Sequence, residues 1–147
     1  MNSLLKTPII PVQADQLWQE LPETWRGPAR LLILCRPQPD GAPAAQMLQE
    51  LAQRACGFQP DAYRVLEVAA GSIIPWSKLK SEFQPGYVFL FGIQPSELAI
   101  QARLLFHFPN RFGDALFILT YDAGEMAANK NFKNELWQVL KGLFQKG

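Results

Sequence analysis

The chain has 147 residues, 48% of them hydrophobic and 18% charged, which describes a globular domain and excludes a disordered chain. Two cysteines exclude a disulfide framework, and a single histidine excludes any site built on two. With 14 basic against 13 acidic residues the net charge is +1, so no bulk charge draws it to nucleic acid or an anionic membrane.

Residues 1–12 read as extended, because Pro8 and Pro11 fix φ and bias their predecessors away from helix. Lys6, Pro8 and Pro11 also break the apolar run that a secretory signal requires. A helix is predicted over 14–21, with Leu17, Trp18 and Leu21 on one face and Pro22 as its stop. Residues 1–28 are thus an arm and a first helix, and 29–147 a single α/β domain. The run 31–35 is apolar on both faces, as a central parallel strand must be, and a Pro/Gly turn over 37–41 ends it. Over 43–56, Ala44, Met47, Leu48, Leu51, Ala52 and Ala55 follow the helical template, with Gly57 placed for a left-handed cap.

Strands are predicted at 64–68 and 87–91, with a short helix at best over 75–80 between them. Residues 104–106 are a short strand candidate, 110–114 a loop, 115–119 a further strand, and 131–144 an amphipathic helix. Strands and helices alternate, which gives a three-layer α/β/α domain around a mostly parallel sheet of four or five strands. No apolar run approaches the ~18 residues of a membrane span. With Cys35 and Cys56 as reduced thiols, the reading is cytoplasmic.

Ligand sites in parallel α/β sheets lie beyond the carboxyl ends of the strands. Here those places are 36–41, 69–72, 92–96 and 120–125. None carries a phosphate-binding glycine loop, and no Gly-x-Ser-x-Gly elbow is present. His107 would have to be the base of any Ser- or Cys-based chemistry, but it lies in an apolar stretch where a structural histidine is the commoner case. Cys35 is either the thiol of a Cys–His pair or a small core residue. Asp40, Asp122 and Glu125 could hold Mg²⁺ or share acid–base work, yet both aspartates sit in turns where their side chains bond nearby amides. The candidate cleft therefore comprises Arg36, Gln38, Asp40, Gly41, Gly92, Tyr121 and Asp122, with no catalytic residue assigned and no metal or cofactor implied. Separately, Trp76 with Lys78 and Lys80 could stack on a base and neutralise phosphate, or simply cover a core edge in a solvated setting.

The order of segments (strand 31–35, Pro-rich turn, helix 43–56, strands 64–68, 87–91 and 115–119, final helix) resembles the uracil-DNA glycosylase-like superfamily. Within it the chain is similar to the small bacterial members without glycosylase chemistry, the psi-subunit family of the DNA polymerase III clamp-loader assembly among them. The active enzymes of that superfamily have a Gly-Gln-Asp-Pro-Tyr type loop after the first core strand. Here the loop reads Cys35-Arg36-Pro37-Gln38-Pro39-Asp40-Gly41, with Pro37 at the acidic place and Asp40 three residues late. The His-Pro-Ser type loop expected after the last strand is replaced by Thr120-Tyr121-Asp122-Ala123-Gly124, and His107-Phe108-Pro109 precedes that strand. Base excision needs both a pocket and a reacting group.

The resemblance implies a non-enzymatic subunit that acts through protein contact, in a DNA replication assembly. The arm, with Leu4, Leu5, Ile9, Ile10 and Val12, could dock in a partner's groove or cover this domain's own sheet. Two rivals stay open: a divergent nucleobase- or nucleotide-acting enzyme using Asp40, Asp122 and Tyr121, and a single-stranded nucleic-acid binder using Trp76, Lys78 and Lys80.

Overall fold

The chain's structure, a computed structural model, describes residues 9–12 by backbone alone and residues 28–37, 43–71 and 73–144 in full. The helix expected over 14–21 and the side chains of Leu4 and Leu5 lie outside the described residues, as do Gln38, Asp40 and Gly41. In chain order the elements are β1 (Ile9–Val12), β2 (Leu31–Cys35), α1 (Pro43–Glu50) and β3 (Tyr63–Val68), then α2 (Trp76–Phe83) and β4 (Tyr87–Phe91). They continue with β5 (Asn110–Phe112), β6 (Ala115–Thr120), α3 (Ala123–Ala128) and α4 (Lys130–Phe144).

Six strands form one sheet in the order β1-β3-β2-β4-β6-β5. The first five are parallel, and only the three-residue β5 runs antiparallel, against β6. The mostly parallel α/β architecture is as the alternation of elements foretold, though the sheet has six strands where four or five were expected, since β1 and β5 add short edges. Ile9–Val12 pairs in register with Val65–Val68, so this part of the arm extends the chain's own sheet.

Period-two alternation then sorts the core into two layers. Leu32 and Leu34 of β2, with Val88 and Leu90 of β4, face α2 through Leu79 and Phe83. Leu31, Ile33 and Cys35, with Phe89 and Phe91, face α1, the turn that follows it and α4 through Leu48, Leu51, Leu136 and Leu140. The chain steps from β2 to β3 in one direction, then returns past β2 to β4. Right-handed crossovers in opposite directions put the covering segments on opposite faces. The reversal lies between β2 and β4, and a doubly wound sheet opens its crevice there.

Several local expectations are corrected. Residues 104–106 are not a strand: Phe106 makes a lone parallel bridge to Leu119, and the edge strand falls at 110–112, inside the expected loop. Asn110 explains the shift. Its side chain accepts from Leu105 N–H and donates to the carbonyls of Leu105 and Phe108, which folds 105–108 into a turn. The short segment after Pro75 is an eight-residue helix closed by Gln84 in the left-handed region. The helix at 43–56 changes pitch at Leu51 into a π turn over Leu51–Ala55, where Cys56 N–H reaches Leu51 C=O. Gly57 does take the left-handed conformation, at φ 78°. Among the described residues no helix is long and apolar enough to cross a membrane.

Candidate functional site

Arg36 leaves the carboxyl end of β2 at the switch point, and its guanidinium is engaged by the neighbouring segments. Nη2 donates to Glu97 Oε2 at 2.7 Å, and Nη1 donates to the carbonyl of Val68 at the end of β3 at 3.2 Å. Glu97 Oε1 is 2.6 Å from the same Nη2 but off the N–H direction, so it shares the charge without a hydrogen bond. Glu97 belongs to a 3-10 turn, Pro95–Leu98, and the N–H of its N-cap residue, Gln94, also donates to Oε2 at 3.0 Å. One ion pair thus ties the ends of β2 and β3 to the segment after β4. Both side chains are mostly shielded, with 24% and 18% of their surface exposed.

The neighbouring strand ends are closed by direct approach. Gly92 follows β4 at φ 70°, and a Cβ there would lie 2.9 Å from the Asp122 Cα. Its N–H donates to Thr120 C=O across the gap. Asp122 is committed as the N-cap of α3, accepting from Gly124 N–H at 2.9 Å and Glu125 N–H at 3.3 Å. The Tyr121 ring stacks on Phe132 with 3.7 Å between centroids. Of the sequence-predicted cleft, the described members are therefore brought to one end of the sheet, but each is engaged in holding that end together. Cys35 is fully buried, and burial, reinforced by the Glu67 and Asp122 carboxylates, pushes its thiol up to about 12. Such a thiol is not a nucleophile at neutral pH.

One constellation was not foreseen from the sequence. His107, held at φ 53°, has Nε2 2.6 Å from the Thr120 hydroxyl and Nδ1 3.3 Å from Glu135 Oε1 on α4. With the carboxylate beside Nδ1, the proton is assigned to Nδ1 and the Thr120 O–H donates to Nε2. That is the order of a carboxylate–imidazole–hydroxyl triad. Thr120 is only 2% exposed, however, so its hydroxyl is shielded from solvent. Burial lowers the His107 pKa, and the Glu135 charge and hydrogen bond oppose it. The relay is a tether: with the His107 N–H donating to Leu119 C=O, it pins the 105–108 turn to β6 and α4. Leu105, Phe106 and Phe108 are consequently held outward, each about half exposed.

The second sequence-predicted group divides. Trp76 is buried edge-on against Phe117, with centroids 5.0 Å apart. It shares a recess of about 530 Å³ with Lys80 and Asp114, and Lys78 is exposed but does not line that recess. A groove of about 390 Å³ lies instead on the opposite layer, between α1 and α4, bordered by Glu50, Lys130, Lys133 and Trp137. Among the described residues no group of three metal-ligating side chains converges.

No protein-family model matches the chain, and no curated protein matches it either.

Proposed function

We propose that the chain is a non-enzymatic, protein-binding subunit on a uracil-DNA glycosylase-like scaffold, serving a DNA replication assembly of the polymerase III clamp-loader type. The observation that carries the binding reading is the 105–108 turn. Three apolar side chains are held into solvent by the Asn110 brackets and the His107 tether. Pre-organising exposed apolar groups lowers the entropic cost of association. The non-enzymatic half is supported by the described strand-end groups, where Arg36 is paired with Glu97 and Asp122 caps a helix.

The test pairs two assays. Immobilised protein should retain purified clamp-loader subunits, and Leu105→Asp/Phe108→Asp should lose them while unfolding at the wild-type temperature. Incubation with uracil-containing DNA should release no free base. Failure to retain any subunit removes the replication reading, and base release removes the non-enzymatic one.

A further inference from the structure

The groove between α1 and α4 has a pattern that no part of the 105–108 surface shares. On α1 its wall is Pro43, Gln46, Met47 and Glu50, spaced i, i+3, i+4, i+7. On α4 the wall is Lys130, Lys133, Asn134 and Trp137, with the same spacing. Each helix therefore turns one full stripe toward the groove. Met47 is buried and Trp137 partly so, which makes an apolar floor. Glu50 and the two lysines stand on opposite rims, and none of the three is ion-paired among the described residues.

We propose that this groove receives an amphipathic helix of a partner protein, one whose flank carries acidic residues to meet Lys130 and Lys133. The inference rests on the binding-protein reading and adds the surface and the partner's chemistry. Two helical stripes side by side form the furrow that the ridge of a third helix fills. An extended peptide gains less, because backbone N–H and C=O groups in helical walls are already paired within each helix. A nucleic-acid strand would find two cations at most, and Glu50 opposite them.

The probe is a fluorescein-labelled helical peptide of about 18 residues, with leucines on one stripe and glutamates flanking it. A second peptide carries lysines at those flanks. Fluorescence anisotropy with the full chain should show the glutamate peptide binding at least about tenfold tighter. Lys130→Glu/Lys133→Glu, two surface substitutions that leave the core intact, should abolish or reverse that preference. In ¹H–¹⁵N spectra the glutamate peptide should shift the amides of Gln46, Glu50, Lys133 and Trp137. The proposal is overturned if neither peptide saturates, if the double variant binds the glutamate peptide unchanged, or if the shifts fall elsewhere. It is equally overturned if a poly-dT oligonucleotide binds through the same lysines, or if light scattering finds a dimer that the double variant loses. Clamp-loader subunits retained equally by wild type and double variant would sink the groove alone. A groove that works with no such retention would sink only the replication assembly.

Discussion

Breaking the Arg36–Glu97 pair measures how much of the fold's stability is lodged at the switch point. Fully buried ion pairs cost roughly 3–5 kcal/mol when one partner is removed, and exposed pairs about 0–1 kcal/mol. With 24% and 18% of the two side chains exposed, this pair lies between those limits and is partly screened by water. Arg36→Met leaves the Glu97 carboxylate with only the Gln94 N–H and frees the Val68 carbonyl. A loss of about 2 kcal/mol is expected, combining a discounted ion pair with one hydrogen bond. Glu97→Gln keeps an acceptor for both donors and should cost about 1 kcal/mol. The double variant should be less destabilised than the sum, by about 1 kcal/mol of coupling. Urea unfolding with an m-value near 2 kcal/mol/M would read the Arg36→Met loss as a midpoint lower by about 1 M. An unmoved midpoint, or strict additivity in the double variant, would refute the claim that this pair fastens the strand ends.

The tether gives a pH signature. Because the folded pKa of His107 lies below its ordinary 6.5, the unfolded chain binds the proton more readily than the native state. Stability should therefore be full above pH 6.5 and decline as pH falls from there through the lowered native pKa. His107→Asn, a residue that tolerates positive φ, should flatten urea midpoints across that window, and an equally steep decline in the variant would rule the tether out. Gly92→Ala should cost about 3 kcal/mol, combining left-handed strain with a backbone clash at Asp122, whereas Gly57→Ala, with open space around it, should cost only about 1 kcal/mol. Equal losses in calorimetry would refute the close approach. Burial raises both cysteines to about 12, so iodoacetamide at pH 7.5 should label neither until urea unfolds the chain. Rapid labelling of native protein would contradict that.

The fold was legible where hydrophobic patterning is redundant. Leu31–Cys35 and Tyr87–Phe91 are apolar on both faces because two helical layers cover them, and continuous runs are what such burial writes into a sequence. Edge structure lacks that signal. Asn110–Phe112 is partly exposed and only three residues long, and the segment before it is shaped by a single asparagine side chain rather than by periodicity. Likewise, α3 begins at a cap, Asp122, that reads equally as a turn. At the site, spacing located the strand ends but not their occupancy. Arg36 and Glu97 are 61 residues apart, and no local pattern announces such a pair. The sequence offers Cys35 as a partner for His107 but not Thr120 or Glu135, which come from a strand end and a helix that only the tertiary fold brings together.

The placement of polar groups separates the two halves of the molecule physically. A reacting centre keeps charged groups under-satisfied and tolerates the loss of stability that follows. Among the described residues at the strand ends, the polar groups are partnered. Arg36 is bound on two sides, Asp122 caps a helix, and Thr120 is locked to His107, so each group stabilises the scaffold it stands on. Among the buried side-chain polar atoms of the described residues, Glu97 Oε1 alone lacks a hydrogen bond, and it still shares the Arg36 charge. Groups without such partners lie in the helical layer and on the 105–108 turn: lysines beside a tryptophan, and leucine and phenylalanine side chains in water. Substituting the first set should register as lost stability with binding intact. Substituting the second should register as lost binding with stability intact, and variants that mix the two outcomes would show that scaffold and interface are not separate on this chain.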